Sequence, residues 1–166
     1  LFLITSRVLE TTEDMERIEQ MQGIASVGML SRVLLPTELG SALDIRSAAA
    51  QLHADILLLY TVDTAFRTDT LRIGPLQAVS MGFFPNKKAQ VSSTVSAAFI
   101  DVRTGYVYGV AEWTATEEQR SNHWNSRSAI EDARVIAERE AFAGALNEAE
   151  LVWGEIVAQH APDQVL

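Results

Sequence analysis

The chain has 166 residues, of which 48% are hydrophobic, and a formal net charge of -9. This length suits one domain with a real core. The negative charge repels phosphate backbones, which excludes nucleic acid as a partner. The absence of cysteine excludes disulfides, thiolate nucleophiles and cysteine-ligated metals.

The first 63 residues alternate between strand and helix patterns. Leu1 to Leu9 is apolar and rich in branched residues, which predicts a first strand. A capped helix follows from Thr12 to Gly23, and the apolar run Ile24 to Leu35, closed by Pro36, predicts a second strand. A helix over Ala42–His53 and a buried strand over Asp55–Val62 complete a β-α-β-α-β unit, which favours parallel neighbours.

The second half has the pattern of an antiparallel meander. Its strands are predicted over 76–84, 89–102 and 106–116, and 117–125 is predicted to be a loop. A capping box near Ser126 to Ser128 starts a long C-terminal helix, which runs to about Gln159 and in which Gly144 introduces a bend. Its predicted inner face consists of Val135, Phe142, Leu146, Ala149, Trp153 and Ile156. The fold class is therefore α/β (α+β), a mixed sheet with helices packed on it, in a single domain over 1–160 with a flexible tail over 161–166.

Asp101, Arg103, Thr104 and Gly105 lie together between two apolar runs. A carboxylate, a guanidinium and a hydroxyl next to a glycine would suit an anion site. A three-residue hairpin loop explains the same pattern, because glycine accepts a positive φ and an aspartate accepts hydrogen bonds from turn amides. We therefore predict a structural turn.

No set of residues predicts catalysis, a metal or a cofactor. The histidines, His53, His123 and His160, lack metal-ligand spacing, and there is neither a glycine-rich phosphate loop nor a nucleophile elbow. Asp63 lies after the buried strand, where α/β enzymes place catalytic groups. The alternative to a non-enzyme is thus a small hydrolase or ligand-binding enzyme that uses Asp63 with Asp101 or Glu112.

Two segments are candidates for partner binding. Met81, Phe83 and Phe84 would leave apolar surface on a protruding hairpin, and exposed apolar patches mark interaction sites. His123 and Trp124 lie in a polar loop that would be accessible to a partner. Packing of these side chains against the core or the last helix is the competing interpretation.

Three segments occur along the chain in an order that resembles that of the rhombotarget lipoproteins of bacterial envelopes. The segments are residues 24–30 leading to Pro36, Leu52 to Tyr60 after a helix, and Ala97 to Gly105. More distantly, the chain is similar to the periplasmic domains of the curli-secretion lipoprotein and of the activators of penicillin-binding proteins. The rhombotarget resemblance also implies a lipid-anchoring cysteine and a carboxyl-terminal sorting tail with paired glycines, which the 166 residues do not contain.

These resemblances imply a non-catalytic lipoprotein domain that binds proteins or supports assembly in the bacterial periplasm. They imply a localisation on the periplasmic side of the envelope, with membrane contact only through a lipid anchor on the outer membrane that lies outside this chain. An envelope protein is the expected partner. Self-association into a homo-oligomer through sheet edges, by analogy with the curli-secretion family, stays open.

Overall fold

The computed structural model describes residues 9–36, 38–70, 87–121 and 126–160. Along the chain, α1 (Thr12–Glu19) is followed by a 3-10 turn (Arg32–Leu34), α2 (Ala42–Gln51), β1 (Ile56–Thr70), β2 (Lys87–Asp101), β3 (Val107–Ser121) and α3 (Ser126–His160). The described strands form an antiparallel sheet in the order β1-β2-β3. The mixed α/β class, with a meander and a long C-terminal helix, is confirmed.

Capping side chains determine where the two short helices begin. Before α1, the Thr11 hydroxyl accepts the amide of Asp14 (3.2 Å), and the Asp14 carboxylate accepts the amide of Thr11 (2.8 Å). Before α2, Asp44 accepts the amides of Gly40 and Ser41, each at 2.9 Å. These bonds satisfy amides that have no partner within the helix.

The strand predicted over 24–35 is wrong. Residues 24–31 have no regular secondary structure, and residues 32–34 form the 3-10 turn. Leu30 is buried, whereas Met29 is 58% and Val33 is 91% exposed. An apolar run has strand propensity, but a strand also needs a hydrogen-bonded neighbour, and this run has none among the described residues. The predicted strands over 1–9 and 76–84 lie outside the described residues, apart from Leu9.

The loop predicted over 117–125 is wrong for residues 117–121, because β3 continues to Ser121; residues 122–125 lie outside the described residues. Polar side chains of β2 and β3 pair with each other toward the C-terminal end of β3. The Thr116 hydroxyl donates to Ser92 (3.2 Å), and the Gln90 amide donates to Glu118 (3.4 Å). Such cross-strand pairs stabilise a ladder of polar residues that a hydrophobicity pattern identifies as loop.

The chain divides into two compact units. Unit 1 contains residues 1–61, 96–112 and 145–166, and unit 2 contains residues 62–95 and 113–144. The strands and α3 each contribute to both units. The predicted single domain over 1–160 stays a prediction, and the tail over 161–166 lies outside the described residues.

The inner face of α3 is built mainly from alanines. Val135, predicted to face inward, is 48% exposed, whereas Phe142, Leu146, Ala149 and Ile156 are buried as predicted. The missed residues recur every four positions and are at most 1% exposed: Ala133, Ala137, Ala141 and Ala145. Residues spaced by four share one helix face, and small side chains let the helix backbone approach its neighbours closely. In unit 2, Ala133 and Ala137 pack with Val91 of β2.

Candidate functional site

The turn between β2 and β3 has the predicted geometry. Gly105 has φ +80°, and one oxygen of the Asp101 carboxylate accepts the amide (2.6 Å) and the hydroxyl (2.8 Å) of Thr104. The donated amide of Thr104 lowers the pKa of Asp101, because it stabilises the ionised carboxylate. The Asp101 amide donates to the carbonyl of Tyr106 (2.8 Å), so the intervening loop, 102–105, is one residue longer than predicted.

Arg46 of α2 fixes this turn from outside, a role for which the sequence has no motif. Its Nε donates to the carbonyl of Val102 (2.9 Å), and its Nη2 donates to the carbonyl of Arg103 (2.6 Å). The Val102 amide in turn donates to the carbonyl of Asp55 (2.9 Å). A β carbon at Gly105 would lie 2.5 Å from Nη1 of Arg46, so space and backbone conformation both favour glycine there.

An open cleft of ≈ 420 Å³ lies between this turn and the loop from α2 to β1. Its lining combines charged and small residues: Ala50, His53, Ala54, Asp55, Asp101, Val102 and Arg103. A second cleft, of ≈ 280 Å³, shares His53, Ala54 and Asp55 and is also lined by Ile24, Leu52 and Trp153. The turn that the sequence predicts to be structural is therefore also one wall of a cleft.

His53 lies at the end of α2 with φ 57°, a left-handed conformation. Its amide donates to the carbonyl of Ala50 (3.0 Å), and the amide of Ala54 donates to that of Ala49 (3.2 Å). This pair of bonds is a Schellman motif, in which the left-handed residue is usually glycine. A residue with a β carbon costs about 1 kcal/mol in this conformation.

Aromatic and apolar side chains extend from the same turn along β3. The Tyr106 and Tyr108 rings meet edge to face with centroids 5.1 Å apart, and Tyr108 meets the His160 ring in the same way at 5.2 Å. Tyr106 and Val110 are each 59% exposed, and Val107 is 47% exposed. We call Tyr106, Val107 and Val110 the edge surface, because Tyr106 directly precedes β3 and the two valines project from opposite faces of this outer strand of the described sheet.

The carboxylates of the hydrolase alternative have separate surroundings. Asp101 is held by Thr104 and also accepts the Tyr108 hydroxyl (3.3 Å). Glu112 accepts the hydroxyl of Ser96 (2.6 Å), and Asp63 is exposed in unit 2. The lowered pKa of Asp101 is opposite to what a general acid at neutral pH requires.

A buried ion pair in unit 2 escaped prediction. The Glu138 carboxylate is 1% exposed, accepts Arg134 Nη1 (2.7 Å) and accepts the hydroxyl of Thr64 (3.0 Å). Thr64 also bonds to the hydroxyl of Ser93 (3.2 Å). Arg134 pairs with Glu131 as well, and both carboxylates raise the pKa of Arg134. The i, i+4 spacing was visible in the sequence, but such pairs usually face solvent.

The predicted partner-binding residues lie outside the described residues: Met81, Phe83, Phe84, His123 and Trp124. Their role stays a prediction. Within the described ranges, no group of three or more His, Asp or Glu side chains is arranged to hold a metal ion. No described helix combines the length and apolar character that crossing a membrane requires.

The comparisons with known proteins give distant structural likeness only. No protein-family model matches the sequence, and the search of curated proteins found no match. A putative lipoprotein from Caulobacter crescentus is 14% identical with a TM-score of 0.39, covering 75% of this chain and 84% of that chain. The hypothetical protein CT253 from Chlamydia trachomatis is 15% identical with a TM-score of 0.32, covering 95% of this chain and 92% of that chain. Similarity at this level assigns neither a function nor a compartment to this chain.

Proposed function

We propose that this chain is a non-catalytic domain of a bacterial envelope lipoprotein and that it binds another envelope protein through the edge surface. The observation that carries the binding proposal is the exposure of Val107 and Val110 on an outer strand of the described sheet and of Tyr106 directly before it. Exposed apolar residues on a long sheet edge are unfavourable in water unless a partner covers them.

The composition of the edge surface suits protein recognition. Tyrosine and arginine are enriched among the residues that dominate binding energies, and exposed Arg103 lies in the turn next to Tyr106. The Tyr108 ring, which is itself in contact with the His160 ring, restricts the position of Tyr106 from one side. A surface that is ordered before binding loses less entropy when a partner docks.

The proposal of an envelope location has a different basis. It is supported by the resemblance of residues 24–36, 52–60 and 97–105 to the rhombotarget lipoproteins. The net charge of -9 fits this proposal, because it disfavours nucleic acid and leaves protein as the expected partner class. Anchoring to the outer membrane is part of the same proposal.

Site-specific photo-cross-linking in living cells tests the binding surface. A photoreactive amino acid at Val110 should give one discrete cross-linked product, and the same group at exposed Asp132 of α3 should give none. Tyr106→Ser together with Val107→Ser should remove the Val110 product without changing the thermal unfolding temperature. Equal products at Val110 and Asp132, or persistence of the product in the double variant, would contradict the proposal.

Fractionation of cells that express the full-length gene product tests the location. We expect the protein with the outer-membrane fraction and expect it to incorporate labelled palmitate. Recovery of the unlabelled protein in the cytosol would refute the envelope assignment, and it would leave the cross-linking result to stand by itself.

Self-association is the alternative use of the edge surface. A second copy pairing along β3 would also cover Tyr106, Val107 and Val110. Light scattering over a range of concentrations separates the two uses: a constant monomer mass supports binding to a different protein, and a concentration-dependent dimer or ring supports self-assembly.

A further inference from the structure

We propose that the cleft beside His53 binds a small zwitterion, such as a free α-amino acid or a short peptide, with its ammonium group at Asp55 and its carboxylate at Arg103. This inference does not depend on the edge surface or on the envelope location. It rests on the ≈ 420 Å³ cleft of unit 1 and on the side chains that line it.

The volume and rigidity of the cleft suit a small ligand. Small-molecule sites usually measure about 300–1,000 Å³ and are largely preformed. Here the two walls are joined by the bond from the Val102 amide to the Asp55 carbonyl (2.9 Å) and by the two bonds from Arg46 to the turn. The cleft therefore exists before any ligand arrives, which lowers the entropy lost on binding.

The polar groups of the cleft differ in whether they are already engaged. Asp101 is engaged by Thr104 and Tyr108, and Arg46 is engaged by the carbonyls of Val102 and Arg103. The side chains of His53, Asp55 and Arg103 are exposed and make no hydrogen bond or ion pair with another described residue. A carboxylate, an imidazole and a guanidinium thus remain for a ligand.

The placement of these charges favours one ligand orientation. The Asp55 carboxylate on the α2–β1 loop attracts an ammonium group. Arg103 lies on the opposite wall, and a guanidinium can bind a carboxylate through two parallel hydrogen bonds. The engaged carboxylate of Asp101 beside Arg103 limits the attraction for a ligand that carries only negative charge.

His53 is the second observation that distinguishes this cleft. The residue occupies a left-handed position that glycine would fill without strain, and its side chain lines both clefts. Strained residues concentrate where a side chain serves binding or catalysis. We assign the imidazole a place beside the bound ligand, on the same wall of the cleft as Asp55.

Amide-resolved NMR titration with L-alanine and with alanyl-alanine tests the site. At least one probe should produce saturable shifts at residues 53–55 and 101–105. Acetylating the ammonium group or converting the carboxylate to an amide should each weaken binding at least tenfold, because each change removes one ion pair. Absence of saturable shifts with both probes, or equal affinity for blocked and unblocked forms, would overturn the proposal.

Matched variants test whether Asp55 and Arg103 bind the two charged groups of the ligand. Asp55→Asn and Arg103→Gln should each weaken binding of the unblocked probe at least tenfold. Asp63→Asn and Arg67→Gln, which change exposed residues of unit 2, should leave it unchanged. Equal losses in the site and control variants would show a general charge effect and would overturn the assignment.

His53→Gly separates ligand binding from stability, since its two effects have opposite signs. Glycine removes the strain of the left-handed position, so the unfolding temperature should rise. Removal of the imidazole should weaken binding of the probe at least threefold. A variant with a higher unfolding temperature and unchanged affinity would overturn the part given to the imidazole.

Discussion

The two halves of α3 differ in whether they bury a charged group. In unit 2, the half from Ser126 to Gly144 buries alanines, Phe142 and the Glu138 carboxylate. In unit 1, the half from Ala145 to His160 buries large apolar groups, and the Trp153 ring lies 5.1 Å from the ring of buried Phe99. One continuous helix can thus rely on apolar burial alone in one half and combine it with a hydrogen-bonded buried charge in the other.

This difference has an energetic reason. Burial of a large apolar side chain stabilises a fold in proportion to its area. Burial of a charge is costly unless its partners are well placed, so the Glu138 pair adds little net stability but is expensive to break. The bonds to Arg134 and Thr64 therefore favour one position of the helix over others.

The largest effect should come from removing the aromatic centre of unit 1. Phe99 is 1% exposed, so Phe99→Ala should lower the free energy of unfolding by about 3–5 kcal/mol through lost burial and a cavity. Urea titration measures it. Val110→Ala, at a 59% exposed position on the neighbouring strand, is the matched control and should change stability by less than about 0.5 kcal/mol.

The polar half of α3 should respond differently to single and double substitutions. Arg134→Met alone leaves the buried Glu138 carboxylate without its ion pair to Arg134 and should cost about 3 kcal/mol. Combining Arg134→Met with Glu138→Met should restore most of the lost stability, because two apolar side chains need no hydrogen-bond partner. If the double variant is the less stable of the two, the polar pair contributes more net stability than we assign to it.

The two glycines within α3 should respond in opposite directions to alanine. A β carbon at Gly144 would collide with the Trp113 indole, and one at Gly154 would meet nothing within 4 Å. Gly144→Ala should therefore lose about 1–3 kcal/mol, whereas Gly154→Ala should gain up to about 1 kcal/mol from helix propensity. Thermal unfolding of both variants measures the difference. Stabilisation by both would show that the indole moves aside freely.

The smallest effect concerns the turn in unit 1 and depends on pH. Because the pKa of Asp101 is lowered in the fold, its charge stabilises the fold above the ordinary carboxyl pKa, and this contribution is lost as the pH falls through the lowered value. Asp101→Asn should therefore be less stable than the parent at pH 7, by about 0.5 kcal/mol. The gap should close in acid, as followed by urea titration from pH 7 to pH 2. A gap independent of pH would contradict this account, and Asp63→Asn is the surface control.

Local patterns predicted those parts of the site that depend on neighbouring residues. Gly105 at positive φ and Asp101 on a turn amide follow from the turn sequence itself. The hydrogen bonds from Arg46 to the turn do not follow from the turn sequence. Arg46 is 56 residues from Val102 along the chain, and its partners are carbonyl groups, which every residue has. The cleft beside His53 is missed for the same reason, since its walls come from distant parts of the chain.

The sequence by itself determined the class of fold, the start of α2, the start of α3 and the positive φ of Gly105 in the β2–β3 turn. These features depend on capping, periodicity and glycine, all of which act over a few residues. Only the tertiary structure decided that residues 24–31 lie outside a sheet, that alanines form the inner stripe of α3 and that Glu138 is buried. Pairing, close approach and burial are properties of contacts between distant segments, and a pattern within one segment cannot specify its partner.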